Sequence, residues 1–277
     1  MATANRLGIE MLTLLGMNPV DHVRLTAELG CVSISTGLTG LPLSMFGITD
    51  YAPYAMWSLE SDASLRRDLK AALSDTGVHI GLGEGFRVRD DGDVRDRGAG
   101  LDIMAELGAL RINAVSMEHD LARSNDQLAH LAEMVIERDM LFTVEFAPPN
   151  TINSLESALA VIDHIGKGRC RLLIDSMHFF RSGGTVEKLA ALDSDLIGYA
   201  QISDAPMMSD GRIYMEEAMF DRLAPGDGEF PLREWIAALP TEIEIGLEVP
   251  RLVDLRGGMN PRDHAARLVK AARNLGA

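Results

Sequence analysis

Cysteine is almost absent: Cys31 and Cys170 are the only two in 277 residues, and they have no metal-ligand spacing. That argues against a disulfide framework or a cysteine-held metal and leaves two reduced, structural thiols. Positive charge is also short, with 26 Lys and Arg against 41 Asp and Glu and a formal net charge of −15. Nucleic-acid binding needs a basic face that displaces counterions from phosphates, so this balance argues against a nucleic-acid partner and against an anionic membrane surface. A small neutral or anionic metabolite remains open, because a local site can differ in sign from the whole. No stretch approaches the ~18–20 apolar residues of a membrane span. The opening MATANRLGIEMLTLLG carries one Arg and an apolar run interrupted by Glu10, a poor signal peptide. The chain reads as cytoplasmic.

What is present is repetition. Short apolar runs at 7–12, 32–35, 79–83, 114–117, 142–146, 172–175, 198–202 and 245–249 read as eight strands, separated by amphipathic segments. Asn18-Pro19 and Asn260-Pro261 each place a cap before a proline suited to a first helical turn, and Gly30 and Gly276 stand where those helices should stop. Ser124 with Gln127, and Asn153 with Glu156, have capping-box spacing. AELGCVSIST and AELGALRINAV echo one another as helix-to-strand joints. No Pro/Gly/Ser-rich linker divides the chain, so the expectation is an α/β fold, a single (β/α)8 TIM barrel over residues 1–277. A doubly wound open sheet is the alternative, but no G-x-G-x-x-G follows the first strand. Two connections exceed simple turns, 37–61 and 205–230. The first reads as a lid or a partner-covered patch, the second as a lid.

Four successive strands each deliver one oxygen-bearing side chain near the C-terminal end: Glu145 in FTVEF, Asp175 in LLIDSMHFF, Gln201 in GYAQISD and Glu248 in IGLEV. In a barrel that end carries the chemistry, and consecutive strands lie side by side. Three carboxylates would crowd together with no Lys or Arg in the strand ends to compensate, which points to a bound divalent cation. The all-oxygen set is hard and suits Mn²⁺ or Mg²⁺ before Zn²⁺. Each residue alone could equally face the helices or cap a loop; the four in register are what carry the reading. His178, three residues past Asp175, could polarise a substrate oxygen, and His119 and Glu84 have weaker cases of the same kind. His22, His130, His164 and His264 fall in helical patterns and read as surface or packing residues. His79 begins a strand at the opposite end.

The segments VEFAPPN, DSMHFFRSGG, YAQISDAP, LAPGDGEFPL and GLEVP resemble the xylose isomerase-like barrel superfamily, the sugar phosphate isomerases/epimerases. The resemblance implies that Glu145, Asp175, Gln201 and Glu248 bind one divalent metal and that Glu145 and Glu248 form the acid/base pair. Gln201 replaces the histidine of ketose 3-epimerases and is similar to hydroxypyruvate isomerases and 3-dehydroshikimate dehydratases. The dehydratases share the Gln201, Asp204, Ala205, Pro206 run and an arginine, here Arg222, three residues before a Pro-Gly-x-Gly turn. Their Ser-Arg-His cluster upstream of that turn is replaced here by EEAMFD. The leading expectation is therefore a metal-dependent isomerase or epimerase of a small polyhydroxy carbonyl substrate, with His178, Arg222 and His119 as substrate-binding residues. A dehydratase is the alternative. A DNA-repair endonuclease would need a histidine-rich zinc site and a basic face, and neither is present. A non-catalytic sugar-binding barrel would not need a full ligand set. Dimers and tetramers are common in the superfamily, so a homo-oligomer stays open.

Overall fold

Residues in each strand alternate between two environments, as a period of two requires. In the run from 171 to 175, Leu172 and Ile174 join the large apolar core under the helices, whereas Leu173 belongs to a small separate cluster with Leu82 and Tyr199. The computed structural model describes residues 5–209 and 211–277. In it, β1 (Leu7–Ile9), β2 (Ser33–Thr36), β3 (His79–Val88), β4 (Arg111–Ser116), β5 (Leu141–Glu145), β6 (Arg171–Asp175), β7 (Ile197–Ile202) and β8 (Ile245–Leu247) close into one parallel barrel in chain order. All eight strands fall where the apolar runs predict them, and the (β/α)8 reading holds. The register pairs Asp175 with Gln201 and Gln201 with Gly246. Among the described residues no helix is long and apolar enough to cross a membrane.

The helices are α1 (Pro19–Glu28), α2 (Ala63–Thr76), α3 (Gly98–Glu106), α4 (Leu121–Ile136), α5 (Leu155–Ile165), α6 (Ser176–Arg181), α7 (Val186–Ala190), α8 (Tyr214–Phe220), α9 (Leu232–Ala238), α10 (Leu252–Arg256) and α11 (Pro261–Leu275). Asn18 and Asn260 cap α1 and α11 by accepting from the backbone N–H groups of Val20 and Arg262. Both capping-box expectations need correction. The α4 cap is Asp120, whose carboxylate accepts from the Arg123 N–H; Ser124 lies buried inside the helix against the Ser116 hydroxyl, and Gln127 accepts from the Val94 N–H. The α5 box is Ser154 with Ser157, one residue beyond the expected pair. At α4 the expected pair is taken up by tertiary contacts, Ser124 with Ser116 and Gln127 with Val94, and at α5 the Glu156 carboxylate reaches Lys188 instead of the cap.

Below the small inner cluster the barrel is closed by charge. His79 Nε2 meets the Glu244 carboxylate at 2.5 Å, Arg111 meets it at 2.9 Å, and the Arg111 guanidinium lies 5.2 Å from the Tyr199 ring centroid. The helical histidines divide as expected: His22 and His264 are buried among packing side chains, while His130 and His164 reach the surface.

The 37–61 connection is a ribbon closed by a Thr39–Ser58 bridge, and Trp57 anchors it by donating from Nε1 to the Gly16 carbonyl at 3.0 Å. Its Phe46 ring meets Phe220 of α8 edge-on, with centroids 5.4 Å apart. The inner wall leaves no room at Gly246, where a Cβ would collide with the carboxylate of Glu10. Gly246→Ala should therefore destabilise the fold by about 1–3 kcal/mol through overpacking, measured by chemical denaturation against the wild type.

Candidate active site at the C-terminal mouth

The spacing of Asp175 and His178 has a local cause. Asp175 ends β6 and caps α6, its Oδ1 accepting from the His178 backbone N–H at 2.8 Å. A carboxylate at the N-cap accepts from the third residue of the helix, so the carboxylate and the imidazole arrive at the mouth as one turn. The His178 ring then packs beside Tyr214, with Nδ1 2.6 Å from the phenol oxygen, and its Nε2 lies 3.5 Å from Glu145. Were Tyr214 to donate to Nδ1, the ring would carry its proton on Nε2, towards Glu145. Asn113 on β4 holds the other Glu145 oxygen at 2.7 Å.

The 205–230 connection folds back over this end. Asp204 and Leu223 exchange two backbone hydrogen bonds of 2.8 and 2.9 Å. The Asp204 carboxylate also accepts from the N–H groups of Ala205, Gly226 and Phe230, which staples the Pro-Gly-Asp-Gly turn to the end of β7. Gly228 is required there, because a Cβ would strike Asp204 and the Ala205 backbone. Arg222, fixed beside Leu223, donates its own N–H to the Pro250 carbonyl and its Nε–H to Ala218. Its guanidinium is buried and spans Asp175 at 2.6 Å and Glu248 at 2.9 Å. This corrects the charge argument from sequence: a cation does reach the strand ends, delivered from the lid.

Arg222 is not enough to balance the site. Glu10 directly follows β1 and is fully buried; Tyr199 donates to its Oε1 at 2.7 Å, and the Gln201 amide lies between Glu10 Oε2 and Glu248 Oε1 at 3.2 and 3.3 Å. Glu84 sits where the register of β3 shifts between Gly83 and Phe86, a bulge with Gly85 at φ 89° that re-aims its side chain. One oxygen each from Glu10, Glu84 and Glu248 lie within 4.8 Å of one another. The Gln201 Oε1 and Glu84 Oε1 atoms are buried without a hydrogen-bond partner.

The electrostatics follow from this crowding. Burial, reinforced by the Asp175 charge and opposed by the Asn113 hydrogen bond, pushes Glu145 up to about 8. Burial also raises Glu10 well above the carboxylate range, with Glu84 adding to it and the Tyr199 bond opposing it. Asp175 and Glu248 share Arg222 yet move apart. For Asp175, burial is outweighed by Arg222 and His178, so it stays below its ordinary value. Glu248 is raised well above its own, because burial together with Asp175, Glu84 and Glu145 exceeds the pull of Arg222. Asp175 has the shorter contact and the extra N–H bond, so it is the ionised partner. Burial keeps the His178 imidazole neutral, down to about 4.

The structure thus brings Glu145, Asp175, Gln201, Glu248, His178 and Arg222 together. His119 stands apart, exposed on the loop after β4. Sequence reasoning missed Glu10, although it ends an apolar strand as the other carboxylates do. It also missed Asn113, Tyr199 and Tyr214, which come into contact only through the closed barrel and the lid.

Residues 23–274 match the family described as xylose isomerase-like TIM barrel, and the chain belongs to that family. It is 28% identical over 118 residues to the inosose isomerase of Bacillus subtilis, a match covering 42% of this chain and 41% of that protein. It is 28% identical over 185 residues to the 3-dehydroshikimate dehydratase of Pseudomonas aeruginosa, covering 62% of this chain and 29% of that protein. The matches therefore span less than half of either relative. The crystal structure of the IOLI protein with a bound zinc atom superposes with a TM-score of 0.78 at 17% identity, covering 98% of this chain and 97% of that one, which is a likeness of fold.

The two perturbed groups make a pH test with a definite sign. Glu145 holds its proton more tightly folded than unfolded, so stability falls as pH rises from the ordinary carboxylate range to about 8. His178 acts oppositely, adding stability as pH rises from about 4 to its ordinary 6.5. The two oppose each other below that point, and above it the carboxylates act alone. In chelator-treated protein, Tm should fall above pH 6.5, by at most about 1.4 kcal/mol per pH unit for each proton released, on the order of 2–4 °C per kcal/mol. Glu145→Gln should flatten that slope; equal slopes in a thermal scan series would refute the assignment.

Proposed function

We propose that this chain is a divalent-metal-dependent isomerase or epimerase of a small polyhydroxy carbonyl compound, a carbohydrate-type substrate. The metal, Mn²⁺ or Mg²⁺, would be held by Glu145, Asp175, Gln201 and Glu248. The fit rests on the donors: all four offer oxygen, the Gln201 amide oxygen is buried without a partner, and the surrounding carboxylates outnumber Arg222. When bound, such a cation draws electron density from adjacent substrate oxygens and makes the C–H beside the carbonyl acidic.

The chain's own groups carry the proton traffic. Glu145, raised to about 8, is matched to removing a carbon-bound proton near neutral pH and returning it. Glu248 lies across the half-circle of strand ends, on the far side of Asp175 and Gln201, and supplies the second acid/base group. The neutral His178 donates from Nε2 to the substrate oxygen on which negative charge develops. Arg222 keeps Asp175 ionised and orients Glu248. Burial under the 205–230 lid excludes water from the reacting carbon. The observation that carries this reading is the pair Glu145 and Glu248 at the mouth, the first half-buried and the second buried, both held above the carboxylate range and flanking Asp175.

A second reading, a dehydratase, is supported by the way Asp204 staples the Pro-Gly-Asp-Gly turn that aims Arg222, a device matching the shared sequence run, and by the dehydratase relative. Both readings begin with the same proton abstraction, so product analysis separates them. Incubation with Mn²⁺ and a panel of ketoses, inososes and 3-dehydroshikimate should give an isomer of unchanged mass from one of the first two groups. Loss of water from 3-dehydroshikimate instead would establish the lyase. With whichever substrate turns over, Glu145→Gln and Glu248→Gln should each lower kcat by about 10²–10⁴-fold, with circular dichroism unchanged.

A further inference from the structure

β3 is the longest strand of the barrel, and its end stands above its neighbour. Its pairing with β2 stops at Gly83 opposite Thr36, whereas its pairing with β4 runs on through Arg87 opposite Val115 to Val88 opposite Ser116. Phe86 and Val88 turn outward into the core beneath the helices, so Arg87 between them faces the barrel axis. The register then relates it to the mouth. β4 pairs Ala114 with Val144, which sets Val115 beside Glu145 one residue further on. Arg87, Val115 and Glu145 thus form one row across three strands, and two strand spacings separate the Arg87 and Glu145 backbones by about 10 Å.

Arg87 is not alone there. It lines one small pocket with Arg89 and Arg97, formed where the chain leaves β3 and passes into a short helical turn at Val94–Arg97. Asp93 also lines that pocket, but its carboxylate caps the turn and pairs with Arg95, both contacts at 2.9 Å. Arg123 pairs with Glu118 and donates to the Arg89 and Gly92 carbonyls, which holds the loop in shape. None of Arg87, Arg89 and Arg97 forms an ion pair or a side-chain hydrogen bond among the described residues. Three guanidinium groups therefore share a concave rim without a carboxylate of their own, in a chain with 41 acidic against 26 basic residues. Partial desolvation and the Arg89 and Arg97 charges lower the Arg87 pKa, while Glu84 and Glu145 raise it, so Arg87 lies within the fields of both its basic neighbours and the mouth. It stays charged at any ordinary pH.

We propose that Arg87, flanked by Arg89 and Arg97, binds an anionic group of the substrate, a phosphate or a carboxylate, while the carbonyl end lies at Glu145. The proposal rests on the isomerase or epimerase reading and narrows its substrate class to a charged polyhydroxy carbonyl compound. The planar guanidinium fork matches the paired oxygens of either anion. An acid-rich surface repels anions at long range, and a cleft lined by positive charge draws one in. Ionised Asp175 disfavours a second anion deep in the mouth, so the charged end of the substrate is directed to the β3 rim. Holding that end in place orients the reacting carbon against Glu145, which is how contacts remote from the chemistry lower a barrier.

Binding tests the site without relying on turnover. Chelator-stripped full-length protein, in which no metal holds the anion, is titrated at low salt with inorganic phosphate and separately with malonate, followed by calorimetry. One or both should bind the wild type; phosphate alone marks a phosphorylated substrate and malonate alone a carboxylated one. Arg87→Gln should weaken that binding by about 10–100-fold, and Arg24→Gln, on the exposed face of α1, should leave it unchanged. Arg87 is itself exposed, so its variant keeps the fold. In turnover, an anionic ketose should be preferred over its neutral counterpart, and Arg87→Gln should raise its KM by a similar factor with kcat kept. Failure of both anions to bind the wild type, or equal binding to wild type and Arg87→Gln, overturns the proposal. Preference for a neutral ketose, with KM unmoved in Arg87→Gln, overturns it while leaving the isomerase reading intact. Anion binding lost in Arg87→Gln, without turnover of any carbonyl compound, upholds the anion site and removes the isomerase reading.

Discussion

Arg222, buried between Asp175 and Glu248, lets three strands of the barrel end in polar side chains that face one another. Removing one partner of a buried ion pair typically costs about 3–5 kcal/mol, because the other charge is left without solvent or counterion. The lid, the end of β7 and the loop after β8 therefore act as one unit. Asp204 staples the turn, Leu223 is bonded across to Asp204, the Arg222 N–H is tied to Pro250, and the guanidinium is set in a fixed place. Segments that look unrelated in the chain, QISDAP, LAPGDGEF and LEVP, are parts of this clamp.

The barrel also separates its two surfaces by chemistry. Outward-facing Ile, Val and Leu supply the packing with the helices, while the inner apolar cluster is Leu82, Leu173 and Tyr199 between two charged ends. Most of the apolar burial therefore lies outside the strands, and the interior is free to hold carboxylates at raised proton affinity. Such an arrangement is a local expense of the fold that a rigid scaffold can carry, and it concentrates where the chemistry is performed.

Much of this was readable from the sequence. The eight strands, the Asn-Pro caps and the carboxylates ending β5 and β6 all have local signatures, since period, cap chemistry and a charged residue closing an apolar run are short-range properties. Glu10 bears the same signature in LGIEM, but there it reads equally well as an interruption of an apolar run. Arg222 did not come from strand-end counting because it arrives from a connection 47 residues beyond Asp175. The Asn113 bond to Glu145 and the Tyr214 bond to His178 span 32 and 36 residues, and only barrel closure and lid folding create them. The cap assignments at α4 and α5 failed for a related reason: several nearby residues can cap, and at α4 the expected pair is engaged by Ser116 and Val94 instead.

The anchor of the 37–61 ribbon has an optical consequence. The chain has two tryptophans, Trp57 at the base of that ribbon and Trp235 fully buried in α9. The first lends its indole N–H to the Gly16 carbonyl, and the second is enclosed on every side by the outer core. Trp235 is held away from the mouth in the outer core, so a Trp235→Phe variant leaves Trp57 as the reporter of the ribbon. The protein carries its own fluorescent gauge of whether the ribbon beside the barrel mouth is seated or lifted.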